Sequence, residues 1–434
     1  MQQASVPGRN GSPRALLRGD LCSNTGYARA NRALASLLRL ECEVIGADIH
    51  PDAHDNRSPP DFPLVSDHAL FAMAAAPARN RSIVLHCTSP DSIRHFPGAV
   101  NVGAFYWETD AIPHRRDWPL KLSLLDTIWA PTRFVAEFAR SAGYQGRIDL
   151  IPWAHSFDRA GADAFGAETP VMPQVEAQFI GTLDADRVAP TPIGLPSLRQ
   201  QARQLFLAVQ SLAPRKGTRT LLREWRTYLH DHGKSDVLVL RLAFRHATDI
   251  HDPPMVHFAK MLRAAGFRPG DRTNIALLVD PMTVDDLRGL YRCCNAFVTA
   301  SFGEGFGGPV IEALQQGCLV VAPRHTGLAD LLPPDYPLVV NSRRVVTGLV
   351  GNLDVYPASA SWNIPEPGAI ATALSRVAAF SPHERRAALD MALAHAMAFC
   401  SIPVVRERIQ LAFNAIAVTQ PPGVPQGVPH GLMQ

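Results

Sequence analysis

The chain has 434 residues, more than a single hydrophobic core usually serves, so length alone predicts two domains of roughly 150 to 200 residues each. An apolar fraction of 47% beside 19% charged residues excludes a disordered chain. A net charge of +3 gives no ground for nucleic acid as a partner and leaves room for an anionic ligand.

In chain order, the N-terminal MQQASVPGRNGSPR is followed by no apolar stretch of signal-peptide length, and no run reaches the ~18 apolar residues of a membrane span, so a cytoplasmic protein is expected. Residues 14–18 read as a short strand, 19–26 (GDLCSNTG) as a turn-rich loop and 27–39 as a helix. Buried strands are predicted at 41–49, 81–87, 99–107 and 126–131, another at 149–153, and a helix at 132–142. Such alternation implies parallel strands with right-handed crossovers. The predicted first domain is 13–158. A Pro-, Ala- and Gly-rich stretch, 159–203, reads as a linker or insertion. Alternation resumes over 204–382, with strands at 204–210, 236–244, 274–280, 295–301 and 318–323. Residues 383–418 read as two terminal helices returning to the first domain, and 419–434 as a disordered tail. The seven cysteines, at 22, 42, 87, 293, 294, 318 and 400, lack zinc-type spacing and read as reduced core residues.

The stretch ASFGEGFGGPVIEALQQG, 300–317, carries the chemistry. An apolar strand ends at Ser301, glycines at 303, 305, 307 and 308 permit a tight loop around Phe306, Pro309 suits a first helical turn, and Gly317 suits its stop. Free amides and the helix dipole at such a junction suit a diphosphate. Glu304 and Glu312 bracket it. Carboxylates repel phosphate but accept hydrogen bonds from hydroxyls, so the pattern fits a phosphate between two polyol groups, as in a nucleotide sugar.

This stretch resembles the donor site of retaining GT-B glycosyltransferases, family 4, whose signature is two glutamates separated by seven residues. The resemblance extends to TVDDLRGLYRCCNAFVTAS, 283–301, where Thr283 and Asp286 are spaced as a capping pair, and to the basic loop APRKGTRTLLREW, 213–225. It implies an α/β fold of GT-B architecture, with two Rossmann-like doubly wound domains facing across a cleft. It further implies that Glu304 contacts the transferred sugar and Glu312 the ribose, that Lys216 and Arg215 meet the phosphates, and that Gly305, Phe306, Gly307 and Gly308 supply the loop around them. SNTGYARANRAL resembles the family's first loop, which would bring Gly26 toward the donor or acceptor.

The implied activity is transfer of a hexose from a nucleoside-diphosphate sugar to an acceptor hydroxyl, with retention and without a metal or other cofactor. A carbohydrate or lipid-linked acceptor is implied, with polysaccharide or glycoconjugate synthesis as the setting and peripheral membrane association compatible with it. WETD, 107–110, is similar to a segment of some of these transferases; Glu108 and Asp110 are candidates for orienting the acceptor hydroxyl or stabilising positive charge at the reacting sugar. The sequence departs from the family in two places. Gln210 stands where many relatives have Arg, and Tyr106 or Trp107 stands where most have a contact His. His86 and His155 read as packed groups. A degenerate sugar-nucleotide-binding regulator and a sugar-nucleotide epimerase are the alternatives.

Overall fold

The computed structural model describes residues 14–23, 25–49, 59–75, 82–113, 117–157, 173–184, 188–232, 235–243, 253–346 and 355–418. The expected 419–434 tail and the 159–172 part of the expected linker lie outside them. The chain divides into two compact units, the first holding the described residues up to 156, 355–357 and 398–418, the second holding 157–346 and 358–397.

The first unit runs β1 (Arg14–Gly19), α1 (Gly26–Leu38), β2 (Glu43–Asp48), α2 (Asp67–Ala75), β3 (Ser82–Cys87), β4 (Val100–Gly103), α3 (Trp118–Ser123), β5 (Thr127–Ala130), α4 (Arg133–Ser141) and β6 (Arg147–Leu150). Its six strands are all parallel in the order β2-β1-β3-β4-β5-β6. The chain leaves β1 for one neighbour and returns to build on its other side. Strand order therefore reverses between β1 and β3, the place where open parallel sheets leave a crevice at their carboxyl ends. Asn31 bridges that point, its side-chain amide donating to the carbonyls of Asp20 at 2.9 Å and Cys87 at 3.0 Å.

The second unit runs β7 (Glu176–Thr182), β8 (Thr191–Gly194), α5 (Leu195–Gln201), β9 (Leu205–Ser211), α6 (Thr218–Asp231), β10 (Val237–Ala243), α7 (Pro254–Ala264), β11 (Arg272–Leu278), α8 (Val284–Cys293), β12 (Ala296–Val298), α9 (Gly308–Gln315), β13 (Leu319–Pro323), β14 (Val339–Val340), β15 (Ser342–Val346), β16 (Ser361–Pro365) and α10 (Ala369–Ala379). The helices α11 (Pro382–Cys400) and α12 (Ile402–Val418) follow. The eight-stranded order is β14-β13-β12-β9-β10-β11-β7-β8, parallel from β14 to β11 and antiparallel at β7 and β8. Here the reversal falls between β9 and β12. Near-continuous apolar runs such as LFLAV in β9 fit strands covered on both faces.

Several boundaries differ from expectation. The strand predicted at 99–107 ends at Gly103, because the aromatics after it pack as a loop: Trp107 lies 4.6 Å from Trp118 and 5.7 Å from Tyr356, ring to ring. The strand predicted at 149–153 is Arg147–Leu150. The stretch read as a linker supplies β7, β8 and α5; its prolines include Pro192 on the edge strand β8 and Pro196 in the first turn of α5, both places where proline is tolerated. Thr283 and Asp286 do form a capping box. Helices α11 and α12 break at Ser401, with Pro403 in the first turn of α12. Val405, Ile409 and Ala412, on one face of α12, are buried in the first unit's core with Ala35, Leu38 and Ile151. All seven cysteines are free thiols, six buried and Cys42 half-buried. No described helix is long and apolar enough to cross a membrane.

Candidate functional site

The two loops that follow β9 and β12 meet at the reversal point of the second sheet. After β9, Ala213 leads into a single 3-10 turn, Pro214–Lys216, and then Gly217 caps α6 with φ 65. A side chain there is excluded twice, by the left-handed backbone and by an added Cβ lying 2.2 Å from the carbonyl oxygen of Ala300. This close approach lets the loops stitch together. The Phe302 amide donates to the Arg215 carbonyl at 2.7 Å, and the Ser301 hydroxyl to the same oxygen at 3.3 Å.

Glu304 lies between the loops. Lys216 Nζ donates to its Oε1 at 2.5 Å, and Arg215 Nη1 to its Oε2 at 3.1 Å and to the Gly303 carbonyl at 3.0 Å. Burial pushes the Glu304 carboxyl upward, but Lys216 and then Arg215 overcome it and hold the group at about 2. Two cations against one carboxylate leave the cluster with a surplus positive charge, beside the amides at the start of α9. Gly307 caps that helix with φ 105 and no side-chain bond, so the first-turn amides receive no capping side chain. A small concavity between the loops is lined by Val209, Gln210, Thr299, Pro309, Val310 and Leu328 along with Lys216 and Glu304. A cationic, amide-rich pocket has the chemistry to suit a phosphate ester.

Glu312, half-buried on α9, accepts from the Tyr291 hydroxyl at 3.2 Å. Gln210 is buried at the end of β9, and its amide donates to Thr218 Oγ1 at 2.7 Å, tying the strand to the first turn of α6. Gly305, Phe306, Gly307 and Gly308 are all buried in the loop and helix start.

The other expected site residues belong to the first unit. Glu108 and Asp110 are half-buried in the loop after β4. Trp107 is core, its indole donating to the Ala111 carbonyl at 3.1 Å. Gly26 opens α1 behind the N-cap Thr25, outside the left-handed region and with nothing within 4 Å of an added Cβ, so neither backbone nor space in its unit requires glycine there. His86 is fully buried and lowered to about 3 by burial. His155 is buried and bridges to Ser401.

Sequence reasoning missed the turn after β13. Glu304 N donates to Thr326 Oγ1 at 3.0 Å, Gly327 N donates to the Glu304 carbonyl at 2.8 Å, and His325 stands next to both. Only a lone Gly after a predicted strand marked this turn in the sequence.

Residues 203–351 match the family of glycosyl transferases group 1. No curated protein matches the chain in sequence. Solved structures match over nearly the whole length. The Anabaena HepE structure in complex with UDP and glucose is 12% identical with a TM-score of 0.57, over 93% of this chain and 100% of that one. Sucrose-phosphate synthase from Thermosynechococcus elongatus is 15% identical with a TM-score of 0.55, over 94% and 100%. The Candida albicans trehalose-6-phosphate phosphatase N-terminal domain is 10% identical with a TM-score of 0.59, over 96% and 99%. The fold is the GT-B architecture of two Rossmann-like domains, and within it residues 203–351 are similar to the glycosyl transferases group 1 family.

Proposed function

We propose that the chain transfers a hexose from a nucleoside-diphosphate sugar to an acceptor hydroxyl, with retention at the anomeric carbon and without a divalent metal. The observation that carries this reading is the meeting of Lys216, Arg215 and Glu304 at the start of α9, where surplus positive charge and first-turn amides can take the diphosphate. Lys216 and Arg215 exchange part of their hold on Glu304 for phosphate oxygens. Glu304 then accepts from hydroxyls of the transferred sugar, while Glu312 holds the ribose.

Assignment to family 4, and with it retention, rests on the resemblance of the Glu304–Glu312 stretch. The UDP and glucose named with HepE support a nucleotide sugar as donor. Glu108 and Asp110 are the candidates for the acceptor side, and Gly26 for the loop beside them. The acceptor is read as carbohydrate or lipid-linked, and the protein as cytoplasmic. Incubation with a panel of nucleotide sugars, with release of nucleoside diphosphate as the readout, tests the reading: at least one donor should be slowly hydrolysed. A panel that binds without hydrolysis or transfer would favour the regulator alternative.

A further inference from the structure

Two described non-glycine residues have a left-handed backbone, Asn274 with φ 44 and Thr326 with φ 48. Asparagine tolerates that region, whereas a β-branched residue there is an outlier that the surroundings must hold in place. Thr326 occurs directly beside Gly327, so the chain carries a strained threonine in a turn where glycine would be easier.

The hydroxyl supplies a reason. Thr326 Oγ1 accepts from the Glu304 amide at 3.0 Å, and the next residue's amide donates back to the Glu304 carbonyl at 2.8 Å. Both peptide groups of residue 304 are thereby pinned to one turn. The contact is backbone on backbone, since a Cβ at Gly327 would lie 2.7 Å from the Glu304 oxygen and from Gly305. The hydroxyl also sits 3.2 Å from His325 Nδ1. Burial keeps that ring neutral, lowering it to about 4, so Nδ1 can accept the hydroxyl's own hydrogen while the oxygen accepts from Glu304.

We infer that Thr326 is a positioning residue of the transfer reaction: its hydroxyl, oriented by His325, fixes the Glu304 backbone so that the carboxylate meets the donor sugar in one geometry. The proposal rests on the reading of Glu304 as a sugar contact. Its energetic logic is a local strain kept for the sake of a hydrogen bond, with glycine and valine separating the two. Thr326→Gly relieves the strain and removes the hydroxyl. Thr326→Val keeps the branched shape and removes the hydroxyl. Thr326→Ser keeps the hydroxyl.

The experiment measures kcat and donor KM for the three variants in the full chain, with amide hydrogen exchange at Glu304 as a readout that needs no turnover. Thr326→Ser should stay within about twofold of wild type. Both Gly and Val should lose about 10- to 100-fold in kcat, the scale of a misplaced reacting group, with little change in KM for the nucleotide sugar and with faster exchange at Glu304. Wild-type kcat in Thr326→Gly, or unchanged exchange at Glu304 in both Gly and Val, overturns the proposal. If wild type itself turns over no nucleotide sugar, the donor-site reading fails and the proposal with it, a result distinct from active wild type matched by equally active variants.

Discussion

Glu304→Gln removes the charge at the centre of the loop cluster with almost no change of shape, and its effect on stability can be worked from the geometry. The carboxyl is 12% exposed and lies 2.5 Å from Lys216 Nζ and 3.1 Å from Arg215 Nη1. A carboxyl held at about 2 against an ordinary 4.5 is favoured in its ionised form, in the folded chain, by about 3 kcal/mol. The amide forfeits this preference. The loss is offset in part because the two cations keep some access to water, so about 1–3 kcal/mol of the second unit's stability should be lost at pH 7. Because the folded-state value is depressed, the stabilisation is whole above the ordinary value and fades as pH falls toward the folded value. The gap between wild type and variant should therefore be constant from about pH 7 to 5, narrower at about 3.5, and closed near 2. Scanning calorimetry across this range, in buffers free of phosphate, measures it. No gap at pH 7, or a gap of the same size at 3.5, refutes the ion-pair balance described here.

Lys216→Ala should weaken donor binding by about 1.5–3 kcal/mol in titration calorimetry, the scale of a charge-assisted hydrogen bond; unchanged affinity would remove the loop after β9 from the site. The two glutamates should fail differently in steady-state kinetics. Glu312→Gln should mainly raise the donor KM, and Glu304→Gln should lower kcat by about 10- to 1,000-fold, because the proposed ribose contact is the same before and during reaction whereas the proposed sugar contact changes. Gly217→Ala should lower the second unit's melting temperature and uncouple the loops, since its Cβ would meet the Ala300 carbonyl; a fully stable variant would contradict the close approach. Turnover should persist in excess chelator, and activity restored only by magnesium or manganese would refute the metal-free proposal.

The two loops of the candidate site were legible in the sequence because their pattern is local. A strand, a run of glycines, a proline and a helix lie next to one another in 300–317, and Lys216-Gly217 stands between a strand and a helix in the same way. What was hidden depends on contacts across the sheet. The β7 and β8 pair could not be read because its hydrogen bonds run to β11 and to each other, and it lies in a stretch whose prolines resemble those of a linker. Gln210 looked like a missing cation; its partner, Thr218, is a residue of the following helix and shows only in three dimensions. Thr326 is harder still. A left-handed threonine leaves no mark in the sequence, and its importance comes from Glu304, 22 residues before it.

The role of the β9 and β12 loops is tested most directly by a crystal structure of the protein with the nucleotide sugar that it turns over. The diphosphate is expected within about 3 Å of Lys216 Nζ and of the amides that open α9, with Glu312 on the ribose and Glu304 on the transferred sugar. A diphosphate bound elsewhere, with Lys216 still on Glu304, would contradict the donor site.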